Sequence, residues 1–335
     1  MSNVRDERRP FVGRTYLYIR DYPGDTGNEP LPAGTPGWMS PDVLVEKPDG
    51  TLGCEAVADQ QNWVHLTVNN GGGIDARDAY VEVFIADPAT TFTPAMATPV
   101  GAQFLTIPGY SRAKAVISWV TDASQSGHRC LAARASLIHP PDTYDDGLVF
   151  DVGGDRHVAQ RNIHVVASPG PAAELTFPFR VGNPGGTPLA TRVLAREVRA
   201  PEQTAALRET LGSPFVQFAE RPLGALAVTT VEATTRPMQL RQAAMPAEEG
   251  GGSIAAAVRA LVALVLRLVG LHLREKAPAS PIALSLVLEP GEARPAVLRI
   301  AGVPAARPGE VHAVEVVQLD ERERVIGGLT VVVRH

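Results

Sequence analysis

Cysteine is scarce in this chain of 335 residues: Cys54 and Cys130 are the only two. Two thiols are too few for a disulfide scaffold. Lysine is scarcer than its share, with Lys47, Lys114 and Lys276 the only three among 31 basic residues. Aromatic side chains make up 5 %, which leaves little stacking surface for a carbohydrate-binding face. A strong charge of one sign is also missing. The formal net charge of −5 gives no electrostatic basis for binding nucleic acid.

Recognisable catalytic patterns are absent as well. The sequence holds no Gly-x-Ser-x-Gly elbow, His-Glu-x-x-His helix, phosphate loop or Gly-x-Gly-x-x-Gly turn. The glycine triplets at 71–73 and 250–252 lack the lysine or strand-to-helix context of a phosphate cradle. The eight histidines are His65, His128, His139, His157, His164, His272, His312 and His335. Only His128 stands at ligand spacing from a cysteine, Cys130, and two ligands do not make a zinc site. No catalytic residue, cofactor or metal is therefore assigned. Met1–Pro10 is charged and has no apolar stretch, so it does not read as a secretory signal. The expectation is a cytoplasmic chain, with export by a non-classical or contractile route as the alternative.

What the chain does have is apolar content and punctuation. Hydrophobic residues make up 44 % and charged residues 20 %, unlike a disordered chain. The length suits two or three domains. There are 31 glycines and 29 prolines, suited to many turns between short strands. Strands are expected at 15–20, 43–46, 63–69, 80–86, 102–107, 113–120, 129–138 and 160–166. In Val64-His-Leu-Thr-Val68 and in Val81-Glu-Val-Phe-Ile85 the apolar residues fall on one face, the mark of half-buried strands. After Ser168-Pro-Gly-Pro171 a second β pattern runs through 175–181, 189–199 and 225–232, and resumes at 282–288, 296–300, 311–319 and 325–333. The fold class is mainly β: two immunoglobulin-like antiparallel sandwiches, at 11–167 and 172–335, the second interrupted at about 200–280.

The interruption holds two expected helices. Pro201–Leu211 starts on proline and stops before Gly212. Ser253 can cap a second helix through Arg274. In that helix Arg259, Arg267 and Arg274 fall within about 80° of one another, and the rest of the circumference is apolar. Ile254, Val258, Leu261, Val262, Val265, Leu268, Val269 and Leu271 are its candidate interaction residues. Two mid-depth arginines disfavour a membrane span. A membrane-surface or partner-helix role and packing on its own β-domain are the other readings, the last preferred.

Other residues carry two readings each. Cys54 and Cys130 are an inter-sheet disulfide or two ordinary thiols, the second favoured in a reducing compartment. Asp142, Asp145 and Asp146 offer oxygens to calcium or serve a solvated turn, the latter preferred. Asp25 caps or turns the chain. Trp38, Trp63 and Trp119 read as core anchors before sugar platforms.

Several stretches resemble a bacterial family of immunoglobulin-like domains of the CARDB adhesion type. They are Tyr16-Leu-Tyr-Ile-Arg-Asp-Tyr-Pro-Gly-Asp-Thr-Gly27, Trp38-Met-Ser-Pro-Asp-Val-Leu-Val45, Asn62-Trp-Val-His-Leu-Thr-Val-Asn-Asn-Gly-Gly72, His128-Arg-Cys-Leu-Ala-Ala-Arg134 and Val158-Ala-Gln-Arg-Asn-Ile-His-Val165. The resemblance covers about 14–167. More weakly, Pro308-Gly-Glu310, Gln318 and Ile326-Gly-Gly328 resemble the closing hairpin of a companion domain. It implies β-sandwiches used for adhesion or assembly and brings no catalytic residues. The functional expectation is a non-enzymatic structural or protein-interaction component, docking through sandwich surfaces and the inserted helix. Its partner is a protein or a second copy, not nucleic acid, with a membrane disfavoured. The alternatives are a membrane-acting effector using 253–274, and an accessory domain of a peptidase.

Overall fold

Period-two alternation builds most of the first half. The computed structural model describes residues 11–32, 35–53, 55–57, 59–121, 129–170, 173–212, 216–231 and 283–335. Nine strands come first: β1 Leu17–Tyr18, β2 Val43–Glu46, β3 Leu52–Gly53, β4 Gln61–Asn70, β5 Ala76–Ala86, β6 Thr98–Ile107, β7 Ser111–Val120, β8 Cys130–Ser136 and β9 Val158–Arg161. β4 is the centre of one sheet, pairing antiparallel with β7 on one side and with β1 and β2 on the other, and β3 extends β2. The facing sheet runs β6-β5-β8-β9. Val64, Leu66 and Val68 of β4, Val81, Val83 and Ile85 of β5, and Ala115, Ile117 and Trp119 of β7 all point into one core. Between them on β7, Lys114, Val116, Ser118 and Val120 face outward, as a one-sided sheet requires.

The last strand expected of this half, 160–166, is in fact two. β9 stays in the first sandwich, and β10, Ile163–Ala167, pairs parallel with β18, Val325–Arg334, in the second. The chain changes sheet at Asn162.

The second sandwich consists of β11 Leu175–Gly182, β12 Leu189–Glu197, β13 Gln217–Phe218, β14 Leu226–Thr230, β15 Ala283–Leu288, β16 Ala293–Ile300, β17 Glu310–Leu319 and β18. One sheet runs β10-β18-β17-β12-β15, with β13 added to β17, and the other runs β11-β16-β14. Phe177, Phe179, Val193, Leu298, Val316 and Val331 fill the space between them. α1, Pro201–Thr210, takes proline in its first turn and ends just before Gly212, as expected. Its Leu207 packs with Trp38, Met39, Ile163 and Val317 in a third core. Trp38 and Trp119 are buried core residues. Among the described residues no helix is long and apolar enough to cross a membrane.

Candidate functional site

The residues singled out for docking, Ile254, Val258, Leu261, Val262, Val265, Leu268, Val269 and Leu271, lie outside the described residues, as do the rest of 253–274, Cys54 and His128. Polar chemistry within the described residues gathers at two places: the seam between the sandwiches and one acidic corner of the first.

At the seam, Asn162 is fully buried and bonded in every direction. Its N–H donates to the Trp38 carbonyl, and its own carbonyl accepts from Thr330 N–H. Its amide nitrogen donates to the carbonyls of Ala89, at 2.6 Å, and Gly328, at 2.8 Å. Its Oδ1 accepts from the Cys130 thiol at 2.7 Å and lies 2.6 Å from His164 Nε2. Thiol, amide and imidazole thus share one line, yet this is not a nucleophile. Burial pushes the Cys130 thiol up, opposite to a reactive cysteine, and Cys130 is a free thiol. Thr90 donates its hydroxyl to Gln318 Oε1, and Gln318 donates to the Gly182 carbonyl at 2.9 Å. Residues 88–90 also bond along β11: Thr90 N–H donates to Arg180 and Arg180 N–H to Pro88. Arg161, 2 % exposed, donates to the carbonyls of Ser40 and Thr210, each at 2.7 Å. Its charge therefore sits at the negative end of α1. A groove of about 430 Å³ opens beside the seam, with Phe92 and Met96 in its lining and Arg129 and Arg180 both paired to Asp87.

The acidic corner is built by the loop after β1 and the loop between β8 and β9. Backbone bonds join them: Ile19 N–H to the Arg156 carbonyl and Leu31 N–H to the Gly153 carbonyl, each 2.9 Å. His157, 3 % exposed, has Nδ1 at 2.8 Å from Asp155 Oδ1 and Nε2 at 2.9 Å from Asp142 Oδ1. A carboxylate only accepts, so both nitrogens donate and the ring is an imidazolium. Burial works against that charge, but the bonds from Asp142 and Asp155 outweigh it and raise the His157 pKa. Asp142 also takes the Arg156 guanidinium and the Leu17 N–H, each at 2.7 Å. Burial pushes its carboxyl up, but His157 and the Leu17 N–H hold it down at about 2.

The three aspartates weighed for calcium go to separate partners. Asp142 is consumed by ion pairs, the Asp145 N–H donates to Asp155, and Asp146 accepts from Leu148 N–H. They form no common ligand set. Among the described residues, one group of side chains brings three potential ligand atoms within 4.8 Å of one another: Glu29, Asp155 and His157. With both its nitrogens donating, His157 has no lone pair for a metal.

One residue in this corner has no such partner. Asp21 is 2 % exposed, and its buried Oδ1 accepts no hydrogen bond. Burial pushes its carboxyl well up, and the charges acting on it most strongly, Asp25, Asp151, Asp155 and Asp42, are all carboxylates. The only sequence signal for this place is a repeated Asp-x-x-Gly-Asp, at Asp21–Asp25 and again at Asp151–Asp155.

No family model matches the chain, and no curated protein matches it. Among solved structures it is similar to the CARDB domain of a Pyrococcus furiosus protein in complex with di-metal ions. The identity is 14 %, over 31 % of this chain and 76 % of that one, with a TM-score of 0.22. It is similar to red sea bream transglutaminase at 13 % identity, over 87 % of this chain but 30 % of the enzyme, with a TM-score of 0.22. It is also similar to a collagen adhesin of S. aureus at 10 % identity, over 90 % of this chain and 96 % of that one, with a TM-score of 0.20. The chain is mainly β by its own strands, and CARDB and adhesin β-sandwich domains are among the structures it is similar to.

Proposed function

We propose that this chain is a non-enzymatic structural or protein-interaction component whose two sandwiches act as one rigid support. The observation that carries the reading is the seam. Asn162, Gln318 and Arg161 are buried and bonded across it, and Trp38 donates its indole N–H to Thr330 at 3.0 Å. Buried polar groups that draw partners from both domains at once fix one relative geometry. A scaffold needs that; a hinge enzyme does not. The buried thiol and the doubly paired His157 also leave the best-formed polar clusters without a free nucleophile or base.

Two stretches are the candidate docking areas. β6 and β7 expose Phe104, Val116 and Val120, with Phe104 65 % exposed. Between β14 and β15 the chain inserts residues 232–282, which include the apolar stretch 254–271. The partner is a protein chain or a second copy of this one.

The test is affinity purification of the tagged full chain beside a variant lacking residues 250–276. Light scattering gives the molar mass, and mass spectrometry identifies co-purifying chains. The expected result is a stoichiometric complex that the deletion abolishes. A partner-free monomer in both preparations would sink the reading.

A further inference from the structure

The two outer faces of the first sandwich carry unpaired charges of opposite sign. In the sheet centred on β4, Ala115, Ile117 and Trp119 of β7 point into the core. Arg112, Lys114, Val116, Ser118 and Val120 therefore face outward, and all five are exposed. Neither Arg112 nor Lys114 makes an ion pair among the described residues. Glu46, outward on β2, is committed to His65 at 2.5 Å. The facing sheet is the reverse. Its outer face carries Phe104, because Leu105 and Ile107 beside it turn inward. The loop between β8 and β9 lies over the same face. Arg134 of β8 donates to the Gly147 carbonyl at 2.9 Å and stacks on Tyr144 at 4.5 Å. That loop exposes Asp145, Asp146 and Asp151, with Leu148 80 % exposed. None of the three acids pairs with a cation among the described residues. Arg134 is already bound to Glu82 at 2.8 Å. Each face thus sets exposed apolar surface beside unpaired charge of one sign.

We propose that the chain associates head to tail with copies of itself, the β7 face of one copy seating the 145–151 loop and Phe104 of the next. The proposal rests on the interaction role argued above and names the partner as a second copy. Charge complementarity selects that occupant. The two patches match each other in sign and in apolar content. They lie on opposite faces of one sandwich, so they cannot meet within one chain. A two-fold pairing of either face with itself would press a patch against its own sign. A contact between unlike faces leaves one free face at each end, so it propagates or closes into a ring. Exposed ion pairs contribute little by themselves. Burial of Phe104, Val116, Val120 and Leu148 supplies the affinity, and the charges fix which faces meet.

The test is sedimentation velocity of the purified full chain over a range of protein and salt concentrations. Expected are species larger than a dimer that grow with protein concentration and shrink when salt screens the charges. Lys114→Glu with Val120→Glu disables one face, and Asp145→Lys with Leu148→Lys disables the other. All four positions are exposed, so the circular dichroism spectra stay unchanged. Each double variant associates at least tenfold more weakly than the parent chain. Mixed in equal amounts, the two variants associate again, because each supplies the face that the other lacks. A parent chain that stays monomeric, a mixture that does not associate, or variants that assemble like the parent would each overturn the proposal. Loss of assembly in one variant alone would mean a two-fold contact through that face, and would overturn it too. Removing residues 250–276 leaves this contact intact. A parent chain that fails to self-associate but still captures a different chain through 250–276 therefore sinks this proposal and not the wider reading.

Discussion

His157 illustrates what a single residue does in this fold. It stands between Asp142 and Asp155, with Arg156 adding a third positive or paired charge nearby. The sign of its pH dependence follows from two shifts that describe one ion pair from its two sides. Asp142 is held at about 2, below its ordinary 3.8, so its contribution of about 2 kcal/mol is present above about pH 4 and lost as pH falls through the folded-state value. His157 is raised above 6.5, so its contribution is complete below about pH 6.5 and lost as pH rises through the folded-state value. Melting temperature should therefore plateau between these limits and fall on both sides. His157→Gln should cost about 3 kcal/mol, because it removes the cation from buried Asp155 and leaves Asp142 with Arg156 alone, and should flatten the alkaline limb. A melting curve against pH for both proteins checks this, and an unaltered alkaline limb in the variant would refute it. Little of this was legible in the sequence. Asp155 and His157 lie two apart, but Asp142 comes from fifteen residues upstream through a loop whose path no periodicity encodes. The Asp142, Asp145 and Asp146 run read as one group in sequence, and the fold sends each to a different partner.

Strands were far more legible than their partners. Alternation located β4, β5 and β7 to within a few residues, since each sends one apolar face into the core, with the opposite face wet on β7 and more covered on β4 and β5. It failed at 158–167, where the whole of β9 and the start of β10 are buried. There the strand leaves one sheet for another, and both faces are covered by protein, so apolar and polar residues stop alternating with solvent. The hairpin of β17 and β18 was legible as strands, but not why it carries glycine. Gly327 and Gly328 fall inside the expected strand 325–333 and sit inside β18, where the first sandwich presses against them. A Cβ on Gly327 would lie 2.2 Å from the Thr90 carbonyl oxygen, and one on Gly328 would lie 2.5 Å from the Trp38 ring. Gly327→Ala should thus force the seam open and cost about 1–3 kcal/mol as an overpacked contact. Gly186→Ala, where nothing lies within 4 Å, should be close to neutral. Chemical denaturation of the two variants separates the cases, and equal midpoints would mean that the seam yields without strain.

At the scale of the molecule, the seam sets the cooperativity of the described residues. The seam ties the first sandwich to the second through buried hydrogen bonds, a shared core around Trp38, and the passage of the chain at Asn162 from β9 in one to β10 in the other. Neither sandwich is complete without the other, so the described part should unfold in one transition by near- and far-ultraviolet signals alike. The insertion, residues 232–282, lies outside the described residues. β14 ends at Thr230 and β15 starts at Ala283, the two strands lie against each other, and β15 takes its register from β12. The strands that flank the insertion thus each have partners among the described residues. Replacing 232–282 by a linker of about eight residues should leave one cooperative transition. It should even gain about 1–2 kcal/mol, because loop-closure entropy falls by roughly 0.6 kcal/mol for each halving of a flexible loop. Calorimetry of the full and shortened chains measures it directly. A lower melting temperature or a split transition in the shortened chain would show that the insertion completes the sandwich. An unchanged or higher one would leave it free for the docking role, since a segment that adds no stability to its own fold has its apolar surface to spend on a partner.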